Sequence, residues 1–262
     1  MLSFKNKTYF NYPMNKKGQV TIFIIVGLIL VVGVVLFFMF RENIFVDPVN
    51  PVETNAITTF VQECINSISE EGIYFISLQG GYYKTPAPKV DYLTIEIPVY
   101  FEVDKENIPS KETVGNELVK YIEDNLPVCV DNFKSFKQRG IEVTSEDISG
   151  TAEIKEEKIL LEIDYSLTVK QGTSKSKIKN PFESQLNFDF NSKYSIVQKI
   201  VNNQKENPGF LPLGFITNLA YNEGFSYETI SVDEKNTIIS LAFIELNKPE
   251  QSFVYSFAVR YL

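Results

Sequence analysis

Two cysteines, Cys64 and Cys129, are the only residues of the chain whose type and number point directly to covalent chemistry. In an oxidising compartment an even pair in a folded domain forms a disulfide; elsewhere the same pair is two unrelated buried thiols. Two cysteines without histidine would need carboxylates to complete a metal site, so neither a metal nor a cofactor is expected. The chain has no histidine at all, which removes histidine-dependent serine and cysteine triads and histidine-ligated zinc together. Ser174 with Lys175, or Ser176 with Lys177, has the composition of a Ser–Lys pair. Both fall in a polar stretch, QGTSKSKIKN, read as a solvated loop without the burial that would lower a lysine pKa. Gln79-Gly80-Gly81-Tyr82-Tyr83 lacks the glycine spacing and the Lys-Ser/Thr of a phosphate loop. It reads as a helix stop and turn, or, with Pro86 and Pro88, as an exposed ligand-facing surface. The 33 acids offer many carboxylate pairs and no means of choosing one, so no catalytic residue is assigned.

The elements that would position these residues begin with 21 uncharged positions, Val20 to Phe40, VTIFIIVGLILVVGVVLFFMF. As a helix the run is about 31 Å long, the thickness of a bilayer's hydrocarbon core. Lys5, Lys7, Lys16 and Lys17 precede it with no acid among the first 19 residues. That +4, set against −8 for the whole chain, leaves −12 from Arg41 onward. The positive-inside rule then places a tail, 1–19, in the cytoplasm, a transmembrane helix at 20–40 and the acidic part outside. The run ends FFMFREN, without a small-x-small cleavage site, which favours an uncleaved anchor over a secretory signal. Translation starts at Met1 or at Met14. An acidic outer domain of this charge argues against nucleic acid as a partner.

Residues 41–51 contain Pro48 and Pro51 and read as an extended linker. The domain at 52–262 mixes periods. Ile57, Phe60, Val61, Cys64, Ile65 and Ile68 make one helical stripe ending at Gly80-Gly81. Ser110 and Thr113 cap a second helix with stripe Val114, Leu118, Tyr121, Ile122, Cys129 and Phe133, kinked by Pro127. Leu93, Ile95, Ile97, Val99, Phe101 and Val103 alternate with polar positions, Pro98 marking an edge or a bulge. Ile159 to Val169 alternates likewise and pairs with a strand around Ser149 to Ile154; Leu186, Phe188 and Phe190 restart the alternation. Helices follow at Tyr194 to Val201 and at Phe215 to Leu219, and then a meander of strands near 225–232, 237–246 and 252–262. Clustered helices and strands make the class α+β, with antiparallel sheet and about four helices.

The segment Lys16-Lys17-Gly18-Gln19-Val20-Thr21-Ile22-Phe23 resembles the class III, prepilin-type signal of archaeal pilins and archaellins. The resemblance implies a processing site between Gly18 and Gln19, with the apolar helix kept on the mature chain. Phe23 stands at the fifth mature position, where many pilins carry an acid. The opening KKGQVTIFI, with Cys64, the Gln79-Gly80-Gly81-Tyr82 segment and Cys129, is also similar to uncharacterised archaeal membrane-anchored surface proteins. Together these readings lead to a single-pass cell-surface protein with a structural or binding outer domain, pilin-like processing, and lipid and other surface or pilus proteins as partners. The alternative is an anchored extracytoplasmic enzyme using carboxylates, for example in glycan hydrolysis; a sensor is disfavoured by so short a tail.

Overall fold

The computed structural model describes residues 24–32, 34–36, 51–102, 105–179, 181–244 and 252–260. The chain divides into two compact units, residues 1–47 and 48–262. In the first, residues 24–32 and 34–36 are helical, and large apolar side chains from Ile24 to Leu36 are exposed. Among the described residues no helix is long and apolar enough to cross a membrane. The rest of the 20–40 run, the 1–19 tail with Gly18 and Gln19, and residues 41–50 of the linker lie outside the described residues.

The second unit is α+β, with two antiparallel-rich sheets and five α-helices among the described residues, one more than expected. Helix α1, Pro51–Leu78, starts within the expected linker, because proline is well suited to a first helical position, where its missing N–H is not needed. It buries Ile57, Val61, Cys64, Ile65, Ile68, Ile73 and Ile76. Ser69 and Ser77 share this buried face because each hydroxyl donates back to a carbonyl one turn earlier, Ile65 and Ile73, at 2.6 Å. The helix ends in paired bonds: Gly81 N–H reaches Ile76 O at 2.7 Å and Gly80 N–H reaches Ser77 O at 3.1 Å. Both glycines hold positive φ, the Schellman arrangement.

Strands β1 (Lys89–Tyr92), β2 (Ile95–Glu102) and β3 (Lys105–Glu106) open the first sheet. Leu93, expected in a strand, is instead the 87 % exposed turn residue between β1 and β2, at φ +54°. Helix α2, Lys111–Cys129, starts where Ser110 Oγ accepts from Thr113 N–H at 3.1 Å and carries Pro127 in its last turn. Phe133 is buried but lies past the helix, in a short 3-10 turn with positive φ at Asp131, Asn132 and Phe133. The four-residue α3, Lys134–Lys137, leads into the long hairpin of β4 (Ile141–Ile154) and β5 (Ile159–Gln171). β4 begins well before the expected Ser149, because its outer half, EVTSED, is mostly polar and alternates weakly.

β6 (Ser174–Ile178) and β7 (Phe182–Leu186) lie along the other side of β5. QGTSKSKIKN is therefore not a loop: Gly172 and Thr173 turn the chain and β6 follows. Its serines and lysines hide the strand from a pattern search, since only Ile178 is apolar and buried. Phe190, expected in a strand, instead opens α4 (Phe190–Glu206), with Asp189 accepting from Ser192 N–H at 2.9 Å as N-cap. Helix α5, Leu213–Glu223, stops at Gly224 in the left-handed region. The meander of β8 (Ser226–Ser231), β9 (Asn236–Ile244) and β10 (Ser252–Arg260) completes the first sheet, ordered β1-β2-β10-β9-β8 with β3 beside β2.

β10 pairs antiparallel with β9 and parallel with β2, Ala258 opposite Val99 and Val259 opposite Phe101. β2 is thus an interior strand, not an edge, and Ile97 to Phe101 are all buried, not only alternate positions. Pro98 is accommodated opposite Lys89, the first residue of β1, where that ladder ends. Helix α1 packs against β10 of one sheet and β7 of the other, so a single apolar core joins both. Phe188, Phe190, Phe253, Tyr255 and Tyr100 form its aromatic centre.

Candidate functional site

The two predicted cysteines meet. Cys64 on α1 and Cys129 at the end of α2 form a disulfide, with Cα atoms 5.8 Å apart and a sequence separation of 65. The bond ties the two helices together from a buried Cys64 to Cys129, which is exposed rather than part of the buried stripe expected for α2. Gly18 and Gln19 lie outside the described residues, so the processing site has no geometry to report.

The Gln79–Tyr83 segment is where polar side chains concentrate. Gln79 is buried, and its amide oxygen accepts from Glu96 N–H at 3.4 Å while its nitrogen donates to the Tyr82 and Tyr83 carbonyls at 3.3 Å each. Glu117, on α2 and 6 % exposed, turns a carboxylate oxygen to the N–H groups of Tyr83 at 3.0 Å and Lys84 at 3.2 Å. Its other oxygen takes Lys120 Nζ at 2.5 Å. Tyr100, fully buried, donates to Gly80 O at 2.5 Å and shares a 2.7 Å bond with the Tyr255 hydroxyl. Tyr194 donates to Pro109 O at 2.5 Å. Burial pushes the Tyr100 phenol well up, the neighbouring Tyr255 adding to it, and burial likewise raises Tyr255 and Tyr194. These hydroxyls stay protonated and act as donors.

The segment is packed tightly as well as bonded. A β-carbon on Gly80 would stand 2.5 Å from Pro98 Cγ, and one on Gly81 would stand 2.8 Å from Val114 Cγ2. Both positions therefore require glycine for space and for their positive φ. The helix-stop reading describes this segment, and the ligand-facing reading describes part of its surroundings. Tyr82, Pro86 and Pro88 line an open cleft of about 310 Å³ with Pro98, Asn107 and Ser110. Tyr83 turns away, its ring 5.3 Å from that of Tyr121 and 6.1 Å from that of Phe75, with Lys84 Nζ 5.3 Å above it. The cleft offers proline faces and one phenol whose pKa is raised by burial and then by Glu117. That chemistry suits an apolar or ring-bearing group held by contact; it supplies no activated nucleophile or base.

The Ser–Lys pairs are not brought together. On β6, Ser174 and Ser176 are half-buried while Lys175 and Lys177 are exposed, so neighbours in sequence project to opposite faces. Among the described residues no three of the Cys, Asp and Glu side chains are grouped to hold a metal ion. Sequence reasoning missed the roles of Glu117, Tyr100 and Tyr255. Tyr100 falls on the polar phase of its strand and its partner is 155 positions away, so no local signal existed. Glu117 had one: an acid flanked on α2 by the buried residues Val114, Leu118 and Tyr121. Compared with protein-family models, curated proteins and solved structures, the chain finds no match.

Proposed function

We propose that this chain is a single-pass, membrane-anchored cell-surface protein whose outer α+β domain serves structure or binding. The observation that carries the reading is the helical stretch at 24–32 and 34–36. Its large apolar side chains are 46–64 % exposed, so this surface needs an apolar medium that water does not supply. Lys16 and Lys17 before the run and the −12 domain after it orient the chain with its N-terminus in the cytoplasm. The disulfide fits an oxidising outer compartment. Within the domain, Gln79, Glu117, Tyr100 and Tyr194 bind backbone groups of the fold, which suits a load-bearing or adhesive role.

Carbonate extraction of membranes and protease treatment of intact cells test this. The protein is expected in the carbonate-resistant pellet with its domain degraded from outside. Release by carbonate, or protection of the domain until lysis, would sink the anchoring or the orientation respectively.

A further inference from the structure

The outer edge of a sheet is an open hydrogen-bond template, and folded proteins block such edges with lysines, prolines, bulges or shortness. Most edges here are blocked in these ways. β1 has four residues, follows Pro88 and carries Lys89 and Asp91. β4 bears Glu142, Glu146, Asp147 and Glu153 and is interrupted by a register shift between Ser145 and Ile148. β6 presents Lys175 and Lys177, while β7 follows Pro181 and carries Glu183. β8 differs. Its sequence SYETIS has no proline, no lysine and one acid, Glu228, and its register with β9 is unbroken from Ser226 to Ser231. Among the described residues no strand pairs with its other side.

The phase of β8 can be read from its turn. Val232 N–H donates to Asn236 O at 2.9 Å, so Val232 and Asn236 are a hydrogen-bonded pair. Antiparallel alternation then assigns Ser226, Glu228 and Ile230 to bonds with β9 and turns the N–H and C=O groups of Tyr227, Thr229 and Ser231 outward. Beside this edge lies a charge-poor surface. From Pro208 to Val232 the only charged residues are Glu223 and Glu228, and Glu223 is paired with Lys199 at 2.7 Å. Helix α5 is tied to β8 by the 2.7 Å bond between the Thr217 and Tyr227 hydroxyls. On and just before it, Tyr221 is 88 % exposed, Phe210 62 % and Leu213 45 %.

We propose that β8 pairs antiparallel with β8 of a second copy of this chain, about a twofold axis at Thr229. Outward-facing positions must meet outward-facing positions, which sets Thr229 against Thr229 and Tyr227 against Ser231 of the partner subunit. Glu228 then faces Ile230 of the partner subunit, so no acid opposes an acid. This choice of occupant rests on self-complementarity: with Thr229 on the axis the outward groups of one β8 match those of the other, and residues 208–232 carry only Glu223 and Glu228, so two domains of −12 would meet where their like charge is sparse. A six-residue strand pair is small for a stable interface, and Phe210, Leu213 and Tyr221 supply apolar area beside it. The inference does not depend on the membrane reading.

The test uses the full chain in detergent micelles, with protein mass measured by light scattering and T229C oxidised in parallel. A protein mass of twice the 29.9 kDa chain is expected, together with a covalent dimer of T229C on non-reducing gels. T229P removes an outward N–H and leaves the β9 ladder intact, so dimerisation should weaken by about tenfold or more. If T229P fails to fold, the T229C cross-link decides alone. A monomer at every concentration overturns the proposal. So does a dimer that survives T229P and leaves T229C uncross-linked, which would place the contact elsewhere, and so does an unrelated peptide displacing the second copy from the edge at equal concentration.

Discussion

A methyl group at Gly81 would meet Val114 Cγ2 at 2.8 Å and the Tyr255 hydroxyl at 3.1 Å, on backbone held at φ +80°. Gly81→Ala combines left-handed strain with overpacking and should lower unfolding free energy by about 2–4 kcal/mol. Urea denaturation reads this directly, and an unchanged midpoint would mean the corner is slack. The phenols around it bear on alkaline stability. Burial raises Tyr100 and Tyr255, and burial followed by the hydrogen bond to Glu71 raises Tyr121 to about 12, against 10.0 for a free phenol. Above pH 10 the unfolded chain therefore loses protons that the folded one keeps. The contribution is whole below about pH 10 and declines as pH rises, Tyr121's share being spent near 12 and the other two continuing beyond. Denaturation at stepped alkaline pH, with tyrosinate absorbance followed alongside, should show this fall, and Tyr100→Phe should flatten it. Ionisation of every phenol near pH 10 in a still-folded domain would contradict the assignment.

Between elements, the Cys64–Cys129 bond closes a 65-residue loop that holds the whole β1–β3 region. Replacing both cysteines by alanine should cost about 2–4 kcal/mol, chiefly through the freer unfolded chain. Unfolding of the double variant measures it, and equal stability would show that α1 and α2 are held by packing alone. The legible elements were those whose burial matches one period. The stripe Ile57, Val61, Cys64, Ile65 and Ile68 is the buried face of α1, and Ile159 to Val169 alternates in β5 as read. Ser110 caps the start of α2 where expected. Illegible were elements defined by distant partners. β6 is strand because β5 offers it a ladder, not because SKSKI prefers one. Tyr100 reads as an outward position on β2 and becomes core because β10 arrives beside it. The cleft near Tyr82 was half visible, its prolines being local and Asn107 and Ser110 coming from further along the chain.

Over the whole molecule, charge is segregated along the chain: +4 in the first 19 residues and −12 after Phe40. The resemblance of Lys16-Lys17-Gly18-Gln19 to a prepilin-type signal leads us to expect a mature chain beginning at Gln19. N-terminal sequencing of the membrane-bound protein decides it, and a start at Met1 or Met14 would leave an unprocessed anchor.

The place of β10 has a bearing on biogenesis. Strand β10 is not at the rim of its sheet but between β9, the strand just before it in the chain, and β2, which lies far earlier. Without residues 252–260, β9 lacks a ladder of nine pairs and β2 one of three, and the aromatic centre lacks Phe253, Tyr255 and Phe257. Closing this sheet therefore waits on a pairing of large sequence separation, β2 with β10, the kind of contact that is intrinsically slow to form. Loss of even a few residues from this strand would act on the whole domain at once, removing the seam that makes two half-sheets one.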